Sequence, residues 1–166
     1  MATNHIQEQF LELIKENNGI IHKVCHLYCH ALHDRQDLFQ EILLQLWKAF
    51  PKFRNESKVS TWMYRIALNT AISDFRKQQR RICTVNDALP ESTDLYEPGP
   101  AEQKERLAAF LEAVNRLSDI EKAIVILYLE EKNYREMEEI LGIGQAGLRV
   151  KMSRIKEKLR RHVGGV

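Results

Sequence analysis

Residues 58–81 read KVSTWMYRIALNTAISDFRKQQRR, and the fold of the whole chain turns on this stretch. Ser60 stands where an N-cap belongs, ahead of a long run free of Gly and Pro. The pattern predicts one helix from about Thr61 to Arg81. At helical spacing Tyr64, Ala67, Leu68, Ala71 and Phe75 gather on one face, a core stripe. Trp62, Arg65, Asn69, Ser73, Arg76 and Arg80 gather on the other. That second face interleaves an aromatic ring, two groups that hydrogen-bond base edges, and three guanidinium ions. Cations neutralise phosphates, aromatic rings stack on unpaired bases, and Asn reads a base edge bidentately. A solvated face with cations at the helix C-terminus would use the same residue types. The flanking sequence has to decide between the two.

Upstream, Thr3 or Asn4 caps a first helix with Ile6, Phe10, Leu13 and Ile14 as its stripe, ending at Asn17-Asn18-Gly19. A second helix is predicted over 20–33. Its apolar face is Ile20, Val24, Leu27, Tyr28 and Ala31, and its opposite face is His22, Cys25, His26, Cys29, His30 and His33. Imidazole and thiolate at i,i+4 spacing are zinc ligands, so His22, Cys25, His26 and Cys29 form a speculative metal or redox stripe. One helix rarely supplies four tetrahedral ligands, and no HExxH or CxxC pattern supports a zinc hydrolase. Asp34 caps a third helix, 35–50, stopped by Pro51. Its start, Asp34-Arg35-Gln36-Asp37-Leu38-Phe39-Gln40-Glu41, mixes acidic and apolar groups as a partner-docking surface does. Residues 51–57 then form a loop into the opening helix.

With 166 residues, 44% hydrophobic and 29% charged, the chain is sized for one domain or two small ones of ordinary soluble composition. Its formal net charge of +2 hides an alternation: 1–81 is net +4, 82–105 net −5, and 106–166 net +3. Basic blocks on either side of an acidic one suggest two polyanion-facing modules. The N-terminus, MATNHIQEQ, has no basic and apolar leader, and the longest apolar run, 123–129, is too short to span a bilayer. A cytoplasmic protein without membrane insertion is expected. Three cysteines give no disulfide framework.

Residues 37–77, DLFQEILLQLWKAFPKFRNESKVSTWMYRIALNTAISDFRK, resemble region 2 of the extracytoplasmic-function (ECF) group of bacterial RNA polymerase sigma factors, and the likeness extends over about 14–81. The resemblance implies that Asp37, Leu38, Gln40, Glu41, Leu44 and Trp47 grip core RNA polymerase. It also implies that the loop before the long helix receives a base flipped from the minus-10 element. Phe53, Arg54, Lys58, Ser60 and Thr61 would line that loop, backed by Trp62, Arg65, Asn69, Ser73, Arg76 and Arg80. Extracting a base costs a few kcal/mol, about what stacking, edge hydrogen bonds and phosphate contacts return.

Residues 82–102, ICTVNDALPESTDLYEPGPAE, hold three of the four prolines and lack periodicity, so they read as an extended acidic linker. Beyond it, a helix from about Pro100 carries Leu107, Phe110, Leu111 and Val114. Ser118-Asp119-Ile120-Glu121 is a capping box, and Asn133 with Glu136 opens a short helix, 134–141. Gly142-Ile143-Gly144 makes a tight turn into a last, basic helix from Gln145 to about His162, a helix-turn-helix pattern. Leu148, Met152, Ile155 and Leu159 point inward. Gln145, Ala146, Arg149, Val150, Ser153 and Arg154 point away, with Lys151 among the phosphate contacts.

This segment resembles region 4 of the same sigma factors, the reader of the minus-35 element. It departs from the family at Gly144, where a Ser or Thr cap is usual, at Gly147 inside the first turn, and at Val150, a family Ser position. The resemblances imply an all-α protein of two small helical domains: region 2 over 1–81, a flexible linker over 82–102, and region 4 over 103–166. The implied function is promoter recognition and DNA melting in complex with core polymerase, without catalytic residues or cofactors. The implied partners are core RNA polymerase, promoter DNA and an anti-sigma factor. A stand-alone helix-turn-helix regulator is the alternative, and it gives Asp37–Glu41 no role.

Overall fold

The computed structural model describes residues 2–81 and 100–164, with side chains for 4–73 and 100–164. The linker expectation over 82–99, Arg76, Arg80 and Cys83 therefore lie outside the described side chains, and the last residues of the expected linker, Ala101 and Glu102, belong to a helix instead. Among the described residues there are seven α-helices, one 3-10 turn and no strand, and they separate into two compact units.

The N-terminal unit packs α1 (Ala2–Tyr28), α2 (Leu32–Ala49) and α3 (Val59–Arg81) around one core, with a 3-10 turn at Phe50–Lys52. Ile21, Val24, Cys25 and Tyr28 of α1 meet Leu38, Ile42 and Leu46 of α2 and Met63, Tyr64, Ala67, Leu68 and Ala71 of α3, all buried.

Four sequence expectations are corrected here. The first helix does not stop at Asn17-Asn18-Gly19: α1 is continuous to Tyr28. Phe10, Asn17, Ile21, Val24 and Tyr28 share one face, so the apolar stripe keeps its phase across the triplet. Asn17 meets its own polar need by donating Nδ2–H to the Leu13 carbonyl at 2.9 Å. Gly19 is exposed, and costs only about 0.5–1 kcal/mol against Ala.

Conversely, the predicted second helix does not reach His33. It ends at Tyr28, and Ala31 in extended backbone opens α2 three residues before the predicted start, so Asp34 lies in the first turn and is not the cap. No Gly or Pro announces this break. Ser60 is likewise not an N-cap, because α3 begins at Val59 and the Trp62 N–H already donates to the Lys58 carbonyl. Finally, Leu111 is 47% exposed and lies off the buried stripe of its helix.

The C-terminal unit comprises α4 (Ala101–Asn115), α5 (Asp119–Leu129), α6 (Tyr134–Leu141) and α7 (Gln145–Val163), with α7 packed against the other three. Ala123–Leu127 of α5 are buried in succession, together with Val114, Met137, Ile140, Leu148, Met152 and Ile155. Both predicted capping boxes form. Ser118 accepts from the Glu121 N–H and Asn133 from the Glu136 N–H, while each glutamate reaches back to the cap's own N–H. Burial raises the Glu121 carboxyl, but the 2.5 Å contact with Lys158 Nζ and the Ser118 bonds outweigh it and leave the group below its ordinary range. Gly142, at φ +69°, takes the left-handed turn between α6 and α7, which a Cβ would strain.

Candidate docking and nucleic-acid interfaces

Helix α2 has two faces. Leu38, Ile42 and Leu46 point into the core, while Asp37, Gln40 and Leu44 are exposed on the opposite side, with Glu41 half-buried at its edge. The predicted docking residue Leu38 is thereby corrected: at 1% exposure it holds the helix in place and offers no surface. Leu44, at 45% exposure, supplies the apolar part of the stripe. Both carboxylates are oriented within the helix. Asp37 lies 3.2 Å from His33 Nδ1, and Glu41 accepts from Gln45 Nε2 at 2.8 Å. Trp47 is half-buried, edge-on to Phe10 at 5.0 Å.

From Trp47 a run of aromatic contacts leads to the predicted minus-10 loop. Phe10 also meets Phe50 at 5.3 Å, Phe50 meets Trp62 at 6.4 Å, and Trp62 stacks on Phe53 at 4.5 Å. Trp62 thus has one ring face already occupied. Phe53 closes the 3-10 turn, donating its N–H to the Phe50 carbonyl, and Asn55 follows in the left-handed region at φ 56°, which Asn tolerates. Arg54 and Lys58 are exposed on this loop, and Ser60 is half-buried. Arg65, Asn69 and Ser73 are exposed along one side of α3, opposite Tyr64, Ala67, Leu68 and Ala71. Thr61 differs from its neighbours on this loop: it is 4% exposed, buried within the fold.

The His/Cys stripe does not assemble. The break after Tyr28 puts His33 on another helix. Cys25 and Cys29 are buried, and His22 lies against the Phe39 ring at 4.8 Å. Burial, with Cys29 adding to it and Arg35 only partly opposing it, pushes the Cys25 thiol up to about 12. Such a thiol is a poor nucleophile. No group of three or more His, Cys, Asp or Glu suited to a metal occurs among the described residues.

In the C-terminal unit, α6, the turn at Gly142 and α7 form the helix-turn-helix. Leu148, Met152 and Ile155 are buried, whereas Ala146, Arg149, Val150, Lys151, Ser153 and Arg154 are exposed and Gln145 is half-buried. Gly144 caps α7 without a side-chain bond. Val150, 51% exposed, presents an apolar surface of the kind that meets a thymine methyl.

Two residues of α6 that the sequence reading passed over act on this face. Gln145 Nε2 donates to Glu138 at 3.0 Å, and the Arg149 guanidinium lies over the Tyr134 ring at 5.1 Å. Tyr134 and Glu138 are four residues apart, as are Gln145 and Arg149. That matched i,i+4 spacing was the available signal.

Sigma-70 region 2 matches residues 13–81 and Sigma-70 region 4 matches residues 107–159. The ECF RNA polymerase sigma-E factor of Haemophilus influenzae is 29% identical over 143 residues, covering 79% of this chain and 75% of that protein. The ECF RNA polymerase sigma factor SigG of Mycobacterium tuberculosis is 42% identical over 57 residues, which are 34% of this chain and 15% of that protein. Among solved structures, the sigma factor RpoE in complex with the anti-sigma factor NepR from Bartonella quintana superposes with a TM-score of 0.72 at 18% identity. It covers 95% of this chain and 96% of that one, a likeness of fold.

Proposed function

We propose that this chain, which belongs to the extracytoplasmic-function group of the sigma-70 family, binds core RNA polymerase and directs it to promoters with two separated elements. The N-terminal unit, 1–81, docks on the polymerase through Asp37, Gln40, Glu41, Leu44 and Trp47. Its loop at Phe53–Lys58, with Arg65, Asn69 and Ser73, takes the minus-10 strand, and the family resemblance assigns Arg76 and Arg80 to the same strand. Residues 82–100 are the acidic connector, and the unit that begins with α4 at Ala101 reads the minus-35 element through α7. The protein works in the cytoplasm and leaves the chemistry to the polymerase. An anti-sigma factor, such as the one complexed with the related RpoE, is the natural restraint.

The observation that supports this reading is the pairing, in one small unit, of an acidic–apolar stripe on α2 with an exposed face of Arg65, Asn69 and Ser73 on α3. A helix-turn-helix regulator acting alone has no use for either. The test is transcription of a genomic fragment library by core polymerase with and without the purified chain. New start sites sharing a two-part upstream motif are expected only when the chain is present. Sequence-specific duplex binding by the chain alone, with no new start sites, would establish the stand-alone regulator.

A further inference from the structure

The contact between α6 and the first residue of α7 has a chemical direction. Gln145 Nε2 lies 3.0 Å from Glu138 Oε2. A carboxylate accepts and never donates, so the planar carboxamide must turn its NH2 toward Glu138. That choice leaves Oε1 and the second N–H, in fixed relative positions, for a base. The next two residues, Ala146 and Gly147, are exposed and carry at most a methyl group, so nothing bulky follows Gln145 along α7.

We infer that Glu138 is a positioning residue which locks Gln145 in one amide orientation and so makes it a selective reader of a base offering a donor in the major groove. This rests on the reading of α7 as the minus-35 helix. Adenine, with N6–H beside N7, satisfies both Gln145 groups, and cytosine N4–H satisfies Oε1. Guanine and thymine offer only acceptors there, so they can take the remaining N–H but leave Oε1 unpaired, and are disfavoured. Arg149, one turn further on, is braced over Tyr134 from the same helix, so α6 supports the readers of α7 at two successive turns.

The test is selection from duplexes randomised across the minus-35 element by holoenzyme assembled with the full chain. Wild type, Glu138→Gln, Glu138→Ala, Gln145→Ala and the double variant Glu138→Ala/Gln145→Ala are compared. Wild type is expected to favour adenine or cytosine over guanine and thymine by at least about fivefold at one position. Glu138→Gln keeps the size of the side chain but both donates and accepts, freeing the amide to flip. The preference at that position should fall to about twofold or less, with other positions and helical content unchanged. Gln145→Ala and the double variant should share one flat profile there.

Retention of the preference in Glu138→Gln and Glu138→Ala, or a wild-type preference for guanine or thymine at the Gln145-dependent position, overturns the inference. So does a wild type selective elsewhere but indifferent to Gln145→Ala. A wild type without selectivity at any minus-35 position overturns the promoter reading of this unit as well.

Discussion

Asn69 and Arg149, the two proposed base readers, are held by different means. Asn69 stands on the exposed side of α3, directly above a core face of Leu68 and Ala71, so its position is set by the packing of the helix. Arg149 is long and entropically costly to hold, and the Tyr134 ring beneath its guanidinium reduces that freedom. Both Asn69→Ala and Arg149→Ala are expected to lower promoter-dependent transcription, with about 1–3 kcal/mol of base discrimination lost at one position each. They should separate on a template whose minus-10 region is already melted. Arg149→Ala, impaired in recruitment, should recover most of its activity there, and Asn69→Ala, still lacking a base contact, only part. Run-off transcription on matched duplex and bubble templates measures this, and the opposite ranking would reverse the assignment.

At the scale of the element, helix ends were the best and the worst predicted features. The two capping boxes were legible because their side chains announce them within four residues, and Gly142 because only glycine takes its backbone angle freely. The end of α1 at Tyr28 was not legible, because Cys29-His30-Ala31 holds no breaker and the stop is settled by packing against α2 and α3. The same holds for the continuous Asn17–Gly19 segment, where an unbroken apolar stripe overrode three weak helix formers.

A third case is the end of α5. There the Glu131 N–H bonds to the Tyr128 carbonyl and the Lys132 N–H to the Leu127 carbonyl, the double closure that normally uses a glycine. Glu131 occupies the left-handed position at φ 57° instead. Glu131→Gly is therefore expected to stabilise the protein by about 0.5–1 kcal/mol, raising its chemical-denaturation midpoint. A lower midpoint would mean the glutamate side chain contributes more than its backbone costs.

For the molecule as a whole, the exposed surfaces differ in chemistry. The basic and polar faces of α3 and α7 suit DNA, and the acidic–apolar stripe of α2 suits a protein partner. Asp37→Lys with Glu41→Lys should abolish co-purification with core polymerase while leaving helical content unchanged, since neither carboxylate is in the core. Undiminished co-purification would remove α2 from the docking surface. The stripe itself was readable from residue order, but the burial of Leu38 and Thr61 was not, because a single residue, about 100° of helical phase, separates a surface position from a buried one. The aromatic run through Phe10, Phe50 and Phe53 has a consequence of another kind. The chain has two tryptophans, and both belong to that run, Trp47 beside the docking stripe and Trp62 against Phe53. Ultraviolet emission excited at the red edge of the tyrosine band therefore comes from the N-terminal unit alone. Replacing either indole with phenylalanine leaves a single tryptophan, expected to report polymerase capture where Trp47 remains and strand opening where Trp62 remains.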